Sequence, residues 1–163
     1  MSRNVIDNLV NSVLRNDALL GPVLLIARVF MAGVFLTFGV GKILHTARMQ
    51  EYMVAHGVPP SLISLAIVVQ IGCGLLVVIG YQTRFAAMML AGFCIIATSL
   101  FHAQFSVGGE LSHFTKDFAI AGGFLFMIAY GPGPLSLDAR IAAAKESREA
   151  ARSVRNREQI ASS

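Results

Sequence analysis

Arg28, Lys42, Gln70, His102, Lys116 and Asp138 are the residues whose chemistry stands out from their neighbours. Arg28 and Lys42 interrupt "IARVFMAGVFLTFGVGKILH", residues 26–45, which otherwise could sit in hydrocarbon. A charge in such a segment is costly. It must face a protein interior, find a partner or reach outward to an interface. Positions 28, 35 and 42 are seven apart, so a helix keeps Arg28 and Lys42 on one face with Phe35 and close to Gly39. Gln70 shares a face with Cys73, Gly74 and Val77. Arg84 and His102 align over five turns, with Thr98 nearby, and Lys116 aligns with Gly123 and Tyr130. Each stripe gathers polar and small residues and is expected to turn inward, because lipid disfavours polar groups and close helix packing favours small ones.

A pocket ringed by Lys42, Gln70, His102 and Lys116 would suit a small anion or a quinone head group. Lysine and histidine donate to a carbonyl, and histidine relays protons near neutral pH. Plainer readings stand beside this one. His102 could cap a helix at the interface, Lys42 could snorkel, and Lys116–Asp117 could be a local ion pair at a helix start, where an acid is favourable. The four histidines, His45, His56, His102 and His113, fall on one side of the expected topology. No HxxxH or HExxH pair and no CxxC occurs, so no metal site is expected. Cys73 and Cys94 lie at different depths and read as small packing residues, without a disulfide. Arg28 lies about 9 Å inside its end of the helix. It is expected to form a structural ion pair with Asp138, just beyond the last apolar block. No catalytic set is recognisable.

These residues need elements to hold them. The chain has 163 residues, 55% hydrophobic and 13% charged, about half the charge of an ordinary soluble domain. Its mean hydropathy of +0.67 agrees. Apolar blocks at 22–44, 61–80 and 85–101 come near the roughly 20 residues a spanning helix needs. A fourth block, 118–130, is too short alone, and reaches spanning length only if the helix starts near His113, with Ser112 as its N-cap. The expected fold is all-α: an antiparallel bundle of four transmembrane helices, at about 22–44, 61–80, 84–102 and 113–131, within a domain of residues 22–135. Residues 1–21 read as a short amphipathic helix on the membrane surface, with Ile6, Leu9, Val10 and Val13 on one side, and not as a secretory signal. Residues 136–163 read as a soluble, helical, basic tail. Gly57 is placed to stop a short helix before "PPS", and "GYQTR" makes a tight turn between the second and third spans.

Four spans put both termini on one side. Nine of the thirteen basic residues fall on that side and three on the other, so the termini and the 81–84 turn are expected to be cytoplasmic. The net charge of +4 then follows from topology. The basic residues are not interleaved with aromatics, so nucleic-acid binding is not expected. The bilayer is the expected partner, and the tail is placed to touch anionic lipid.

"LLIARVFMAGVFLTFGVGKI", "GVPP", "VVQIGCGLLVVIGYQTRFAAMMLAGFCIIATSLFH" and "FTKDFAIAGGFLFMIAYGPGPLSLDAR" together resemble the DoxX family of small inner-membrane proteins, over residues 22–140. Cys73 interrupts the glycine pair after Gln70, Gln70 stands where many members carry Glu, and Asp117 stands where Asn is common. The resemblance implies a prokaryotic inner-membrane protein of four helices. It also implies an association with redox enzymes, among them a thiosulfate:quinone oxidoreductase and a complex with a superoxide dismutase and a sulfurtransferase. Three readings stay open at this point. The first is a redox-linked membrane subunit, with quinone as a candidate ligand and a soluble redox enzyme as partner. The second is a non-catalytic anchor or scaffold acting through the tail. The third is a small transporter, which four spans would form only as a homo-oligomer.

Overall fold

The computed structural model describes residues 7, 12, 17–101 and 110–161. Its ordered elements are helices. They are α1 (Asp17–Leu44), α2 (Thr46–Ala55), α3 (Leu62–Ile79), α4 (Thr83–Phe101), α5 (Glu110–Tyr130) and α6 (Leu137–Ala161). The expected surface helix of residues 1–21 lies outside the described residues, apart from Asp7, Ser12 and the start of α1. Among the described residues three helices, α1, α3 and α4, are long and apolar enough to cross a membrane. Their outer faces carry large apolar side chains, as does that of α5: Phe30 is 73% exposed and Phe126 of α5 is 69% exposed. Water would not tolerate so extensive an apolar surface, and lipid does.

Each helix ends for a local reason. α1 begins at Asp17, five residues before Pro22, which therefore lies inside the helix and not at its start. The Thr46 hydroxyl closes α1 by donating to the Lys42 and Ile43 carbonyls, both at 2.9 Å. α2 stops before Gly57, whose φ of +71° suits glycine. α3 is interrupted by one π-helical stretch, Val69–Cys73. α5 begins at Glu110 and not at Ser112, so the serine expected to cap it lies within its first turn. An acid at the head of a helix is favoured by the dipole, which makes the earlier start reasonable.

The helices meet where the sequence supplies small residues. α4 turns Thr83, Ala86, Ala87, Leu90, Ala91, Cys94 and Thr98 inward, and α5 turns Ala121, Phe124 and Met127 to meet them. Phe35 of α1 packs edge-on to Phe124 at 5.4 Å and to Phe93 at 6.4 Å between ring centroids. At Gly39 a Cβ would lie 2.6 Å from Ile71 Cγ1, so α1 and α3 approach each other there only because the side chain is missing. Gly123 of α5 lies against the flexible end of Met31 of α1, whose Cε would be 2.7 Å from an added Cβ. Thus α1 touches α3 and α5, and α4 touches both as well. α2 packs Met53 with Val58 and Ile63 beside Phe101, covering the far end of α3 and α4.

Two of the inward stripes expected from the sequence are corrected in part: Thr98 is fully buried as expected, but Arg84, Lys116 and Tyr130 face outward. Lys116 and Tyr130 are exposed, Tyr130 at 82%, whereas Asp117 sits on the packed side. Arg84 is exposed and its neighbour Thr83 is fully buried. Alanines set the contact face of α4 and α5, and that face lies one position away from the one the charged residues suggest.

Candidate functional site

Two polar sites are built into these contacts. The inner one centres on Gln70. It is the second residue of the π-helical stretch and is 3% exposed. A π turn inserts a residue into a helix and is common at functional sites. The glycine at position 39 leaves room for it: a Cβ there would lie 3.3 Å from Gln70 Cβ. The Gln70 side-chain carbonyl, Oε1, is buried without a hydrogen-bond partner among the described residues. An orphaned buried acceptor costs about 1–3 kcal/mol.

One to two turns nearer the α2 end, the Thr98 hydroxyl donates to a carboxylate oxygen of Asp117. Gln70 lies ten residues up α3 from Gly80, and Thr98 lies fifteen up α4 from Thr83. At about 1.5 Å per residue these are depths of about 15 and 22 Å. Cys94 is buried one turn below Thr98, level with Gln70. The helices therefore carry two acceptors at different depths, the buried Gln70 carbonyl and, about 7 Å further along, the half-buried Asp117 carboxylate.

The four residues expected to ring a ligand are placed differently from one another. Gln70 is inside. Lys42 is half-buried, and its Nζ lies 5.9 Å from the Phe38 ring centroid on its own helix. Lys116 is on the exposed side of α5. His102 lies outside the described residues. Asp117, which the sequence suggests only as a local ion-pair partner, joins the interior instead. The signal for it is its register with Ala121 and Phe124, the small and aromatic residues that meet α4.

The second site locks the opposite end of the helices. Arg28 is 2% exposed and donates through Nη2 to the Leu135 carbonyl. Its Nε and Nη1 have no partner among the described residues. Nη1 lies over Gly80, where a Cβ would stand 2.0 Å from it. Asp138 accepts from the Gln82 and Thr83 amides at 2.8 and 2.9 Å and from the Thr83 hydroxyl at 2.8 Å. Its own amide donates to the Gly80 carbonyl at 2.9 Å. Asp138 thus caps α4 from outside that helix. The two groups expected to pair, Arg28 and Asp138, meet at this junction, but their hydrogen bonds run to different partners and their charges act through space. Burial would raise the Asp138 pKa. The Thr83 and Gln82 hydrogen bonds, with the Arg28 charge, outweigh it and hold the carboxyl below the usual range.

The chain has relatives among known proteins. The sequence model of the DoxX family matches residues 23–103, from α1 to the end of α4. The chain is 41% identical over 114 residues to the inner membrane protein YqjF of Escherichia coli K12, covering 70% of this chain and 88% of that protein. It is 31% identical over 124 residues to the inner membrane protein YphA of the same organism, covering 72% and 89%. No solved structure matches the chain significantly.

Proposed function

The chain belongs to the DoxX family of inner-membrane proteins, and we propose that it is a redox-linked membrane subunit that binds a quinone, in its reduced hydroxyl form, between its helices. The observation that carries this is the unpartnered Gln70 carbonyl, buried inside a π turn. It asks for a donor, and the Asp117 carboxylate above it is a second acceptor. A hydroquinone offers hydroxyl donors at both ends of an apolar ring, and apolar and aromatic side chains (Phe35, Phe93) line the surrounding core. Lys42 and Lys116 are assigned to the approach from the α2 end, and His102 is assigned to it by its sequence position alone, next to the last described residue of α4. In the bilayer α5 is the fourth span of an antiparallel four-helix bundle. Its 21 residues reach about 31 Å only by carrying Lys116 and Asp117 into its first turns. Both termini are cytoplasmic by the distribution of basic residues.

The test is thermal unfolding in detergent with a short-chain hydroquinone, on wild type and Gln70→Leu. The reading requires stabilisation of the wild type and none of the variant. Equal stabilisation of both would remove Gln70 from the site.

A second reading, a scaffold for a soluble partner, is favoured by α6. Its residues from Arg140 to Ile160 are exposed on every side, including Ile141 and Val154. An isolated 25-residue helix of mixed charge is a natural dock. Truncation after Arg140 should release any enzyme that co-purifies, and unchanged recovery would exclude α6 as the dock.

A further inference from the structure

At the Arg28 end a cavity of about 430 Å³ opens between the start of α4, the α5–α6 connection and the start of α6, lined by Gln82, Thr83, Arg84, Phe85, Pro132 and Asp138. It plays no part in the inner site, which lies some 15 Å deeper. It is open to the surroundings over much of its extent and is a surface cleft, not an enclosed chamber. We propose that this cavity holds the phosphate of an anionic membrane phospholipid, with Arg84 as its principal partner.

Three observations support that choice. The first is charge. Arg84 is exposed and without an ion-pair partner among the described residues, and it reaches over Gly131, where a Cβ would lie 3.6 Å from Nη2. Asp138 is the one acid in the lining, and both its oxygens are already occupied by the Gln82 and Thr83 donors. Arg28 stands behind it with two buried nitrogens unpartnered. The cavity is therefore positive on balance, and an arginine fork matches a phosphate with two parallel hydrogen bonds.

The second is depth. α3 ends at Ile79 and α4 starts at Thr83, both spanning-length helices. The intervening turn must lie where hydrocarbon gives way to head groups. Exposed rings mark the same level: Tyr81, Phe85 and Tyr130, the last stacked with Phe126 at 6.2 Å. Aromatic residues of this kind gather at the membrane interface. A ligand here meets acyl chains on one side and water on the other, which suits a lipid and not a free metabolite.

The third is the backbone. Gln82 lines the cavity at φ +44°, the left-handed region, as the one non-glycine residue of positive φ among those described. Such a conformation costs on the order of 1–3 kcal/mol and is typical of ligand clamps. The positive-inside rule explains an arginine in this turn. It explains neither the cavity beside that arginine nor the strained residue in its wall.

The experiment measures thermal unfolding of the full-length protein in neutral detergent. Short-chain phosphatidylglycerol, phosphatidylcholine or inorganic phosphate is added to wild type, Arg84→Gln, Arg84→Lys and the tail control Arg155→Gln. Phosphatidylglycerol should stabilise the wild type and Arg155→Gln alike, and its apparent affinity should fall about tenfold in Arg84→Gln. Arg84→Lys should retain part of the effect, and it carries the test if Arg84→Gln does not fold. An unchanged response in the Arg84 variants overturns the proposal. So does phosphatidylcholine acting as well as phosphatidylglycerol. Inorganic phosphate acting equally well would assign the cavity to a free anion and overturn the lipid.

Discussion

Gly80→Ala should be the most damaging single-methyl change at the Arg28 junction. Gly80 has φ +76°, which costs an L-residue roughly 1–2 kcal/mol. The new methyl would stand 2.0 Å from Arg28 Nη1 and 2.6 Å from Ser136 Cβ, closer than atoms can approach. Arg28 would have to leave, and its bond to the Leu135 carbonyl would be lost. A hydrogen bond from a charged group contributes about 1.5–3 kcal/mol. The two terms give about 3–5 kcal/mol. At roughly 2–4 °C per kcal/mol for a chain of this size, unfolding should fall by about 6–20 °C. Gly92→Ala is the matched control, since nothing lies within 4 Å of the added methyl. There the better helix propensity of alanine should leave stability unchanged or slightly raised. The assay is thermal unfolding in one detergent, followed by circular dichroism. If Gly80→Ala melts within about 2 °C of wild type, Arg28 is not clamped as described.

The remaining expectations test other contacts. The Asp138 carboxyl is held below its ordinary pKa, so its contribution to stability is complete above the unfolded value near pH 4 and is lost as pH falls through the lowered folded value. Asp138→Asn should flatten that acid-side loss in a series of melts, and an unaltered pH profile would exclude the cap. Thr98→Val removes the donor to Asp117 and should cost about 1–3 kcal/mol in the same assay; a neutral result would mean that another donor serves the carboxylate. For topology, reporter fusions active only in the cytoplasm should work at residue 163 and fail when inserted at Gly57. The reverse pattern would invert the assignment.

The all-helical fold and its three apolar spans were legible because hydrocarbon thickness sets helix length and because Gly57 and Gly80 punctuate the helices. Gln70 was legible as well, as a polar residue in mid-span aligned with small ones. The faces of α4 and α5 were legible only to within one position. The charges of Arg84 and Lys116 point one way, while the close contact is made by Ala86, Ala87, Ala91 and Ala121, which carry no polar signal. The π turn at Val69–Cys73 was also invisible. It depends on which backbone carbonyls neighbouring helices leave room for, and no residue type announces it. The Arg28–Asp138 junction was anticipated as a pair of charges. Its backbone partners, Leu135, Gln82 and Thr83, are contacts no side-chain pattern encodes.

The central claim is that Gln70 holds a hydroxyl-bearing head group inside the helices. Its most direct test is mass-spectrometric identification of small molecules extracted from wild-type and Gln70→Leu protein, purified side by side from membranes in mild detergent. The account predicts near-stoichiometric quinone or hydroquinone with the wild type and none with the variant. It also predicts that, once ligand has been stripped from both, the variant melts higher, since the buried acceptor left unpaired in the wild type is gone. Quinone in equal amounts with both proteins, or with neither, would contradict it.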